Sequence, residues 1–194
     1  MFELMYSSAL RIGDIVNLNV SDVDMKERVL TIRCGKGSKD AYVPFSETAL
    51  VFLRKYVSGE RNRLAKRARK NERAALFFKA GGRITKAVIW NRFDRILKNA
   101  HIEKGNRSVH SIRHSTATHL LENGADIKYV SELLRHDNLE TTARYTHLTS
   151  ESIKRAYKSA HPRENEYYEE ITEEYLNELD RLIDELKRKW RILA

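Results

Sequence analysis

Residues 114–134, HSTATHLLENGADIKYVSELL, leave the backbone few choices. Apolar residues recur at helical spacing up to Leu121, and Asn123 with Gly124 makes a stop signal suited to a C-cap. Asp126 then offers a side-chain N-cap to a second run carried by Ile127, Val130, Leu133 and Leu134. The spacing predicts a helix over about residues 111–122, a tight turn and a second helix. Taken alone, this unit is also the outline of a helix-turn-helix DNA reader, so its surroundings decide its meaning.

Most of those surroundings also read as helix. MFELMYSSALRIGDIVNLNVSDVD predicts two short helices meeting at a turn, with Arg11 at the junction. RVLTIRCGKGSKDAYVPF reads as a β-hairpin with a glycine-rich tip carrying Lys36, and the single cysteine, Cys34, as a strand residue. Ser46 suits the N-cap of a helix through Leu50, Leu53 and Tyr56. The basic stretch RKYVSGERNRLAKRARKNER is expected to be helical, kinked at Gly59 and then loop, either facing phosphate or simply solvated. Val88, Ile89, Phe93, Ile96 and Leu97 mark another helical stripe, with Trp90 beside it. After Pro162, the one plausible boundary, residues 165–194 form a separate amphipathic pattern with Ile171, Tyr175, Leu179, Leu182, Ile183, Leu186, Trp190 and Leu193 on one side. The fold class expected is therefore mainly α with a small antiparallel β-sheet (α+β), divided into residues 1–163 and a C-terminal helical extension, 164–194.

Charge narrows the class of partner. The chain carries a net +9, but residues 164–194 hold 10 acidic against 5 basic residues, so the first 163 hold 31 basic against 17 acidic. A body this basic attracts polyanions, because each phosphate neutralised by Lys or Arg releases condensed counterions. No apolar run approaches the roughly 20 residues of a membrane helix, and the first residues lack a secretory pattern; an intracellular location is expected. One cysteine without a Cys/His cluster supports neither a disulfide nor a zinc site.

The chemistry is scattered over these elements. Arg11 follows the SSAL turn, Lys36 tips the hairpin, His110 and Arg113 share one helical face at a three-residue spacing, His136 ends the next helix, and Tyr145 follows in a polar segment. Singly, each has an ordinary reading as a solvated or dipole-favoured residue. Together they describe metal-free phosphoryl chemistry. Two guanidiniums clamp a diester's oxygens and stabilise added negative charge, an ammonium protonates a leaving alkoxide, imidazoles exchange protons or donate hydrogen bonds, and a phenol attacks. The clusters offer no convergent carboxylates for a two-metal nuclease.

ALRIGDIVNLNVSDVD, GKGSKDAYVPF, HSIRHSTATHLLENGADIKYVSELLRHDNLETTARYTHL and the later HPR, in that order, resemble the catalytic domain of the tyrosine recombinases of the phage-integrase and Xer class, over about residues 1–163. The resemblance implies that fold, with the scissile phosphate bound by Arg11 and Arg113. It implies Lys36 as general acid for the 5′-hydroxyl, His110 as assisting acid/base, His136 as a hydrogen-bond donor to the phosphate, and Tyr145 as the nucleophile forming a 3′-phosphotyrosyl bond. No cofactor is expected. The implied partners are double-stranded DNA and further copies of the chain, a tetramer on DNA in which the C-terminal helix is exchanged between protomers rather than folded back in cis. The location implied is cytoplasmic, with the nucleoid, and not membrane-bound. The alternatives are a type IB topoisomerase-like nicking-closing enzyme, or a non-catalytic DNA-binding regulator of the same fold.

The chain departs from the family pattern at three places. Ala9 stands where glycine is usual, Asp14 where a glutamate is usual, and Arg135 where glycine usually precedes the last histidine. The chain also starts almost at the first arginine box, without the N-terminal helical domain that closes the clamp around DNA. A fragment, or a split or minimal form, is expected, with weak and poorly selective DNA binding alone.

Overall fold

The computed structural model describes residues 1–33, 40–79, 81–135 and 150–164, with side chains in the last stretch from Lys154 onward. Its elements run α1 (Phe2–Ser7), α2 (Ile12–Asn17), β1 (Val23–Asp24), β2 (Val29–Ile32), β3 (Ala41–Pro44), α3 (Glu47–Tyr56), α4 (Asn62–Arg67), β4 (Phe78–Lys79), β5 (Gly82–Arg83), α5 (Lys86–Asn99), α6 (Val109–Glu122), α7 (Ile127–Leu134) and α8 (Ser150–Ala160). The fold is mainly helical with a small antiparallel sheet of order β1-β2-β3, as the sequence predicts. The expected Cys34 strand position, the Lys36 tip, His136, Tyr145 and the apolar stripe from Ile171 to Leu193 lie outside the described residues.

Helix boundaries follow local chemistry. Ser46 Oγ accepts from the Ala49 N–H at 3.1 Å, opening α3, and Asp126 Oδ1 accepts from the Lys128 N–H at 2.8 Å, opening α7. The backbone ends α6 at Gly124, φ +82°, where the Ala125 N–H donates back to the Leu120 carbonyl at 2.9 Å. α1 ends the same way at Ala9, φ +48°, with the Leu10 N–H donating to the Met5 carbonyl at 3.1 Å. Gly59 lies in a π-helical turn, Val57–Arg61, that joins α3 to α4, so the expected kink is a widened turn and not a break. α6 begins at Val109, earlier than the periodicity indicates, because the Ser108 N–H donates to Ser111 Oγ at 3.0 Å and closes a cap there.

β2 pairs with β3 in the register Leu30↔Val43 and Thr31↔Tyr42, turning Leu30 and Val43 into the core and leaving Tyr42 62 % exposed. Met5 of α1, Leu10 of the turn after it and Ile15 of α2 meet Phe45, Leu76, Ile84, Ile89 and Leu120 in one cluster. Each such residue fully removed from water contributes roughly 1.5–3 kcal/mol. Two expected core positions are corrected: Ile96 is 51 % exposed and Ile127 is 70 % exposed. Ile89, Phe93 and Leu97 carry the inner face of α5 at a four-residue spacing, which rotates Ile96 outward; Ile127 sits in the first turn of α7, before the buried Val130 and Leu133.

Two features had no clear signal in the sequence. The β4–β5 hairpin is only two residues per strand, shorter than any alternation can reveal. Arg61, within the basic stretch, points inward: it donates to the Arg73 carbonyl at 2.7 Å and to the Ala75 carbonyl at 2.9 Å, and lies over the Phe78 ring. That arginine serves the fold, whereas Arg54, Lys55, Arg63, Lys66, Arg67, Arg69, Lys70 and Arg73 are exposed.

Candidate active site

The junction of α1 and α2 is built around two buried serines. Ser7 Oγ accepts from the Ser46 N–H at 2.6 Å, Ser8 Oγ donates to the Pro44 carbonyl at 2.9 Å, and the Tyr157 hydroxyl donates to the Ser7 carbonyl at 2.9 Å. These bonds fasten the turn to β3, α3 and α8. Arg11 is the residue before α2, extended at φ −73° and ψ 151°, and its N–H donates to Asp14 Oδ2 at 2.8 Å.

From this anchored position the Arg11 guanidinium donates to the carbonyl of Arg135 at 2.5 Å. Arg113 reaches the same place from one turn into α6: it donates to the Ala9 carbonyl at 2.6 Å and to the Leu134 carbonyl. Two arginines separated by 102 positions therefore bind adjacent carbonyls at the C-terminal end of α7, where the helix dipole is negative and the last carbonyls lack helical partners. His110 sits in the first turn of α6, exposed, three residues before Arg113 and on the same face. Three of the six residues expected in the site are thus described, and the fold brings the two arginines together. Lys36, His136 and Tyr145 lie outside the described residues.

All three departures from the family pattern meet in the same cluster. The Arg135 guanidinium donates to the carboxylate of Asp14, with the two side chains 14 % and 15 % exposed. Ala9 and Arg135, standing where the pattern has glycine, both adopt a left-handed backbone at φ +48°. A side chain in that conformation costs roughly 1–2 kcal/mol relative to the right-handed region. The pairing of Arg135 with Asp14, 121 positions away, carries no local signal.

Guanidinium groups are of the type that binds tetrahedral oxyanions through charge-assisted hydrogen bonds. Clustering them on one helix end raises the local positive potential.

Comparisons with known proteins identify the family of this chain. Residues 1–152 match the phage integrase family. The chain is 42 % identical over 168 residues to tyrosine recombinase XerD of Oceanobacillus iheyensis, covering 84 % of this chain and 54 % of that protein. It is 39 % identical over 164 residues to XerD of Corynebacterium glutamicum, covering 84 % and 52 %. The crystal structure of XerA recombinase superposes with a TM-score of 0.62 at 31 % identity, over 83 % of this chain and 55 % of that one. The fold is also shared with XerH site-specific recombinase bound to its difH substrate, TM-score 0.60 at 23 % identity, over 80 % and 44 %. The chain spans about half the length of the relatives it matches. With the family model covering residues 1–152, the chain belongs to the phage integrase family of tyrosine recombinases.

Proposed function

We propose that this chain is the catalytic part of a site-specific DNA recombinase, cleaving and rejoining strands through a 3′-phosphotyrosyl intermediate. The observation that carries the reading is the convergence of Arg11 and Arg113 on the carbonyls of Leu134 and Arg135, immediately before the segment holding His136 and Tyr145. A phosphate diester placed there is held by two guanidiniums, which stabilise the charge of its pentacoordinate transition state. The Tyr145 oxygen forms a bond to phosphorus as the bond to the 5′-oxygen breaks; the phenol's proton passes to His110 or to solvent, and the leaving 5′-oxygen gains one from Lys36. His110 assists proton transfer and His136 donates to a phosphate oxygen. An unperturbed tyrosine has a pKa of about 10, so the surrounding cations also favour its phenolate. One phosphoester bond is exchanged for another, and attack by a different 5′-hydroxyl reverses the step without ATP.

In this reading the substrate is double-stranded DNA, and the XerH relative is bound to its difH substrate in the solved complex. The basic body of residues 1–163 provides the attraction. The assembly is a tetramer on DNA, and residues 164–194 dock on a neighbouring protomer through their apolar stripe; the protein works in the cytoplasm with the nucleoid. Among the described residues no helix is long and apolar enough to cross a membrane.

The test is a nicked duplex whose 5′-hydroxyl fragment diffuses away after cleavage, trapping any covalent product. The wild-type chain should give a protein–DNA adduct that survives denaturation, and Tyr145→Phe should give none. An adduct retained by Tyr145→Phe would sink the assignment, and a chain that binds this duplex without any adduct would favour a DNA-binding regulator.

A further inference from the structure

The β2–β3 ladder closes at the pair Ile32↔Ala41, and Arg33 is the first residue beyond that last rung. Its side chain returns to the body of the fold: Nε donates to Asp22 Oδ1 at 2.9 Å, and Nη2 lies 2.9 Å from the same oxygen. The carboxylate it meets is fixed. Asp22 is 3 % exposed, its Oδ2 accepts from the Asn19 N–H at 2.8 Å, and the Val20 N–H donates to the Ala74 carbonyl at 3.0 Å. Arg83 holds the preceding residues, donating to the Val16 and Leu18 carbonyls at 2.9 and 3.0 Å and to Asn19 Oδ1 at 2.5 Å. The Arg33 side chain is 65 % exposed, where an ion pair adds little to stability. Asp14, which holds the Arg11 N–H, lines the same cleft of about 350 Å³ as Asp22 and Arg33. The hairpin end therefore leaves the sheet on the Asp14 side of the arginine pair, from a point tied to a buried anchor, and Lys36 follows three positions later in the sequence.

We infer that Arg33 and Asp22 are positioning residues for the proton donor: their ion pair fixes where the chain carrying Lys36 leaves the sheet, and so directs the ammonium to the leaving 5′-oxygen. The inference rests on the proposed role of Lys36 as general acid and adds two residues that the catalytic set does not contain. Three residues of extended chain span at most roughly 10 Å, so the position of Arg33 bounds the region that Lys36 reaches. Proton transfer is exacting within that region, because donor and acceptor must come within about 3 Å of each other. Neither residue needs to touch DNA for this. Asp22 is covered, and Arg33 commits two of its nitrogens to Asp22.

Sulfur in place of the bridging 5′-oxygen separates this role from others. A thiol is far more acidic than an alcohol, so the sulfur leaves as a thiolate when its bond to phosphorus breaks and takes no proton from Lys36. Adduct formation by the full chain is timed on the nicked duplex with oxygen and with sulfur at that position. Lys36→Ala should be slowed about 10²-fold or more on oxygen and less than about threefold on sulfur. Arg33→Ala and Asp22→Asn should each be slowed about tenfold on oxygen and less than about threefold on sulfur. Asparagine offers one acceptor oxygen to the Asn19 N–H and turns its NH2 toward Arg33, so this variant keeps the turn and loses the pair. The double variant should be no slower than the slower single one. Inorganic sulfate, a probe of the Arg11–Arg113 pair read by the rise in melting temperature, should bind both variants within about threefold of wild type. The inference is overturned if the oxygen duplex reacts at the wild-type rate, if both duplexes slow together, if sulfate affinity falls as well, or if only Arg33→Ala responds, which would make Arg33 a direct DNA contact. If wild type gives no adduct, or Lys36→Ala slows both duplexes alike, the proposed reading of the site has failed and the inference goes with it; that failure is recognisable because it appears with Arg33 and Asp22 intact.

Discussion

Two regions of this molecule use the same residue types to opposite ends. At the end of α7, Arg11, Arg113 and Arg135 are only partly covered, tied to carbonyls and to one carboxylate. On the far side of α1, where α8 docks, Tyr157 and His161 are buried at 3 % and 0 % exposure. His161 stacks on Tyr157 with ring centroids 4.6 Å apart and meets the edge of Tyr6 at 5.5 Å. Its Nδ1 accepts from the Arg163 N–H at 3.1 Å, which assigns the proton to Nε2, and burial pushes its pKa down to about 4. The contrast is one of dielectric. A histidine or tyrosine sealed among rings serves packing, whereas the arginines at the helix end are partly exposed and hydrogen-bonded to carbonyls and a carboxylate. Both regions brace one short helix, since Tyr6, Ser7 and Ala9 carry contacts to each.

The sharpest way to break this contrast is at the arginines. Arg113→Ala should reduce adduct formation on the nicked duplex by at least about 10²-fold, the usual cost of losing one transition-state donor. It should also lower the melting temperature, because the Ala9 and Leu134 carbonyls lose a shared donor. His161→Ala should do the reverse, costing about 3 kcal/mol of stability by chemical unfolding while changing the adduct rate per folded molecule less than about threefold.

Acid separates the regions without mutation. His161 has a folded pKa of about 4 against an ordinary 6.5, so between these values the unfolded chain binds the extra proton. Its stabilising contribution is complete above about pH 6.5 and is lost as the pH falls toward 4, by about 2–3 kcal/mol. His161→Gln should flatten that window by the equivalent of one proton when stability is measured against pH; an unchanged slope would show that the ring is not kept neutral. The smallest effect belongs to a site in neither region. His101 ends α5 at φ +53°, exposed, with the Ile102 N–H donating to the Leu97 carbonyl at 2.9 Å. His101→Gly should raise stability by about 0.5–1 kcal/mol in thermal unfolding, with no change in sulfate binding.

Much of the fold was legible before the structure. The Asn123–Gly124 stop, the Asp126 and Ser46 caps and the β2–β3 pairing are all short-range chemistry, and each appears where the residues indicate it. α8 was not singled out, although Tyr157, Ala160 and the following His161 are buried, because a tyrosine, an alanine and an imidazole make no continuous apolar stripe. Within the site, Arg11 at a turn and His110 with Arg113 at a three-residue spacing were readable as candidates. Arg61 in the basic stretch shows the limit of that reading, since the same side chain is equally able to cap buried carbonyls.

The amino-acid order by itself determined where helices start and stop, which strands pair and which residue types are present for phosphoryl chemistry, because caps, turns and periodicity act over a few residues. The tertiary structure alone decided that Arg11 and Arg113 share one helix end, that Arg135 and Asp14 form a pair, and that His161 is kept neutral. Those outcomes depend on distance and dielectric between segments more than 100 positions apart, and no local pattern encodes either.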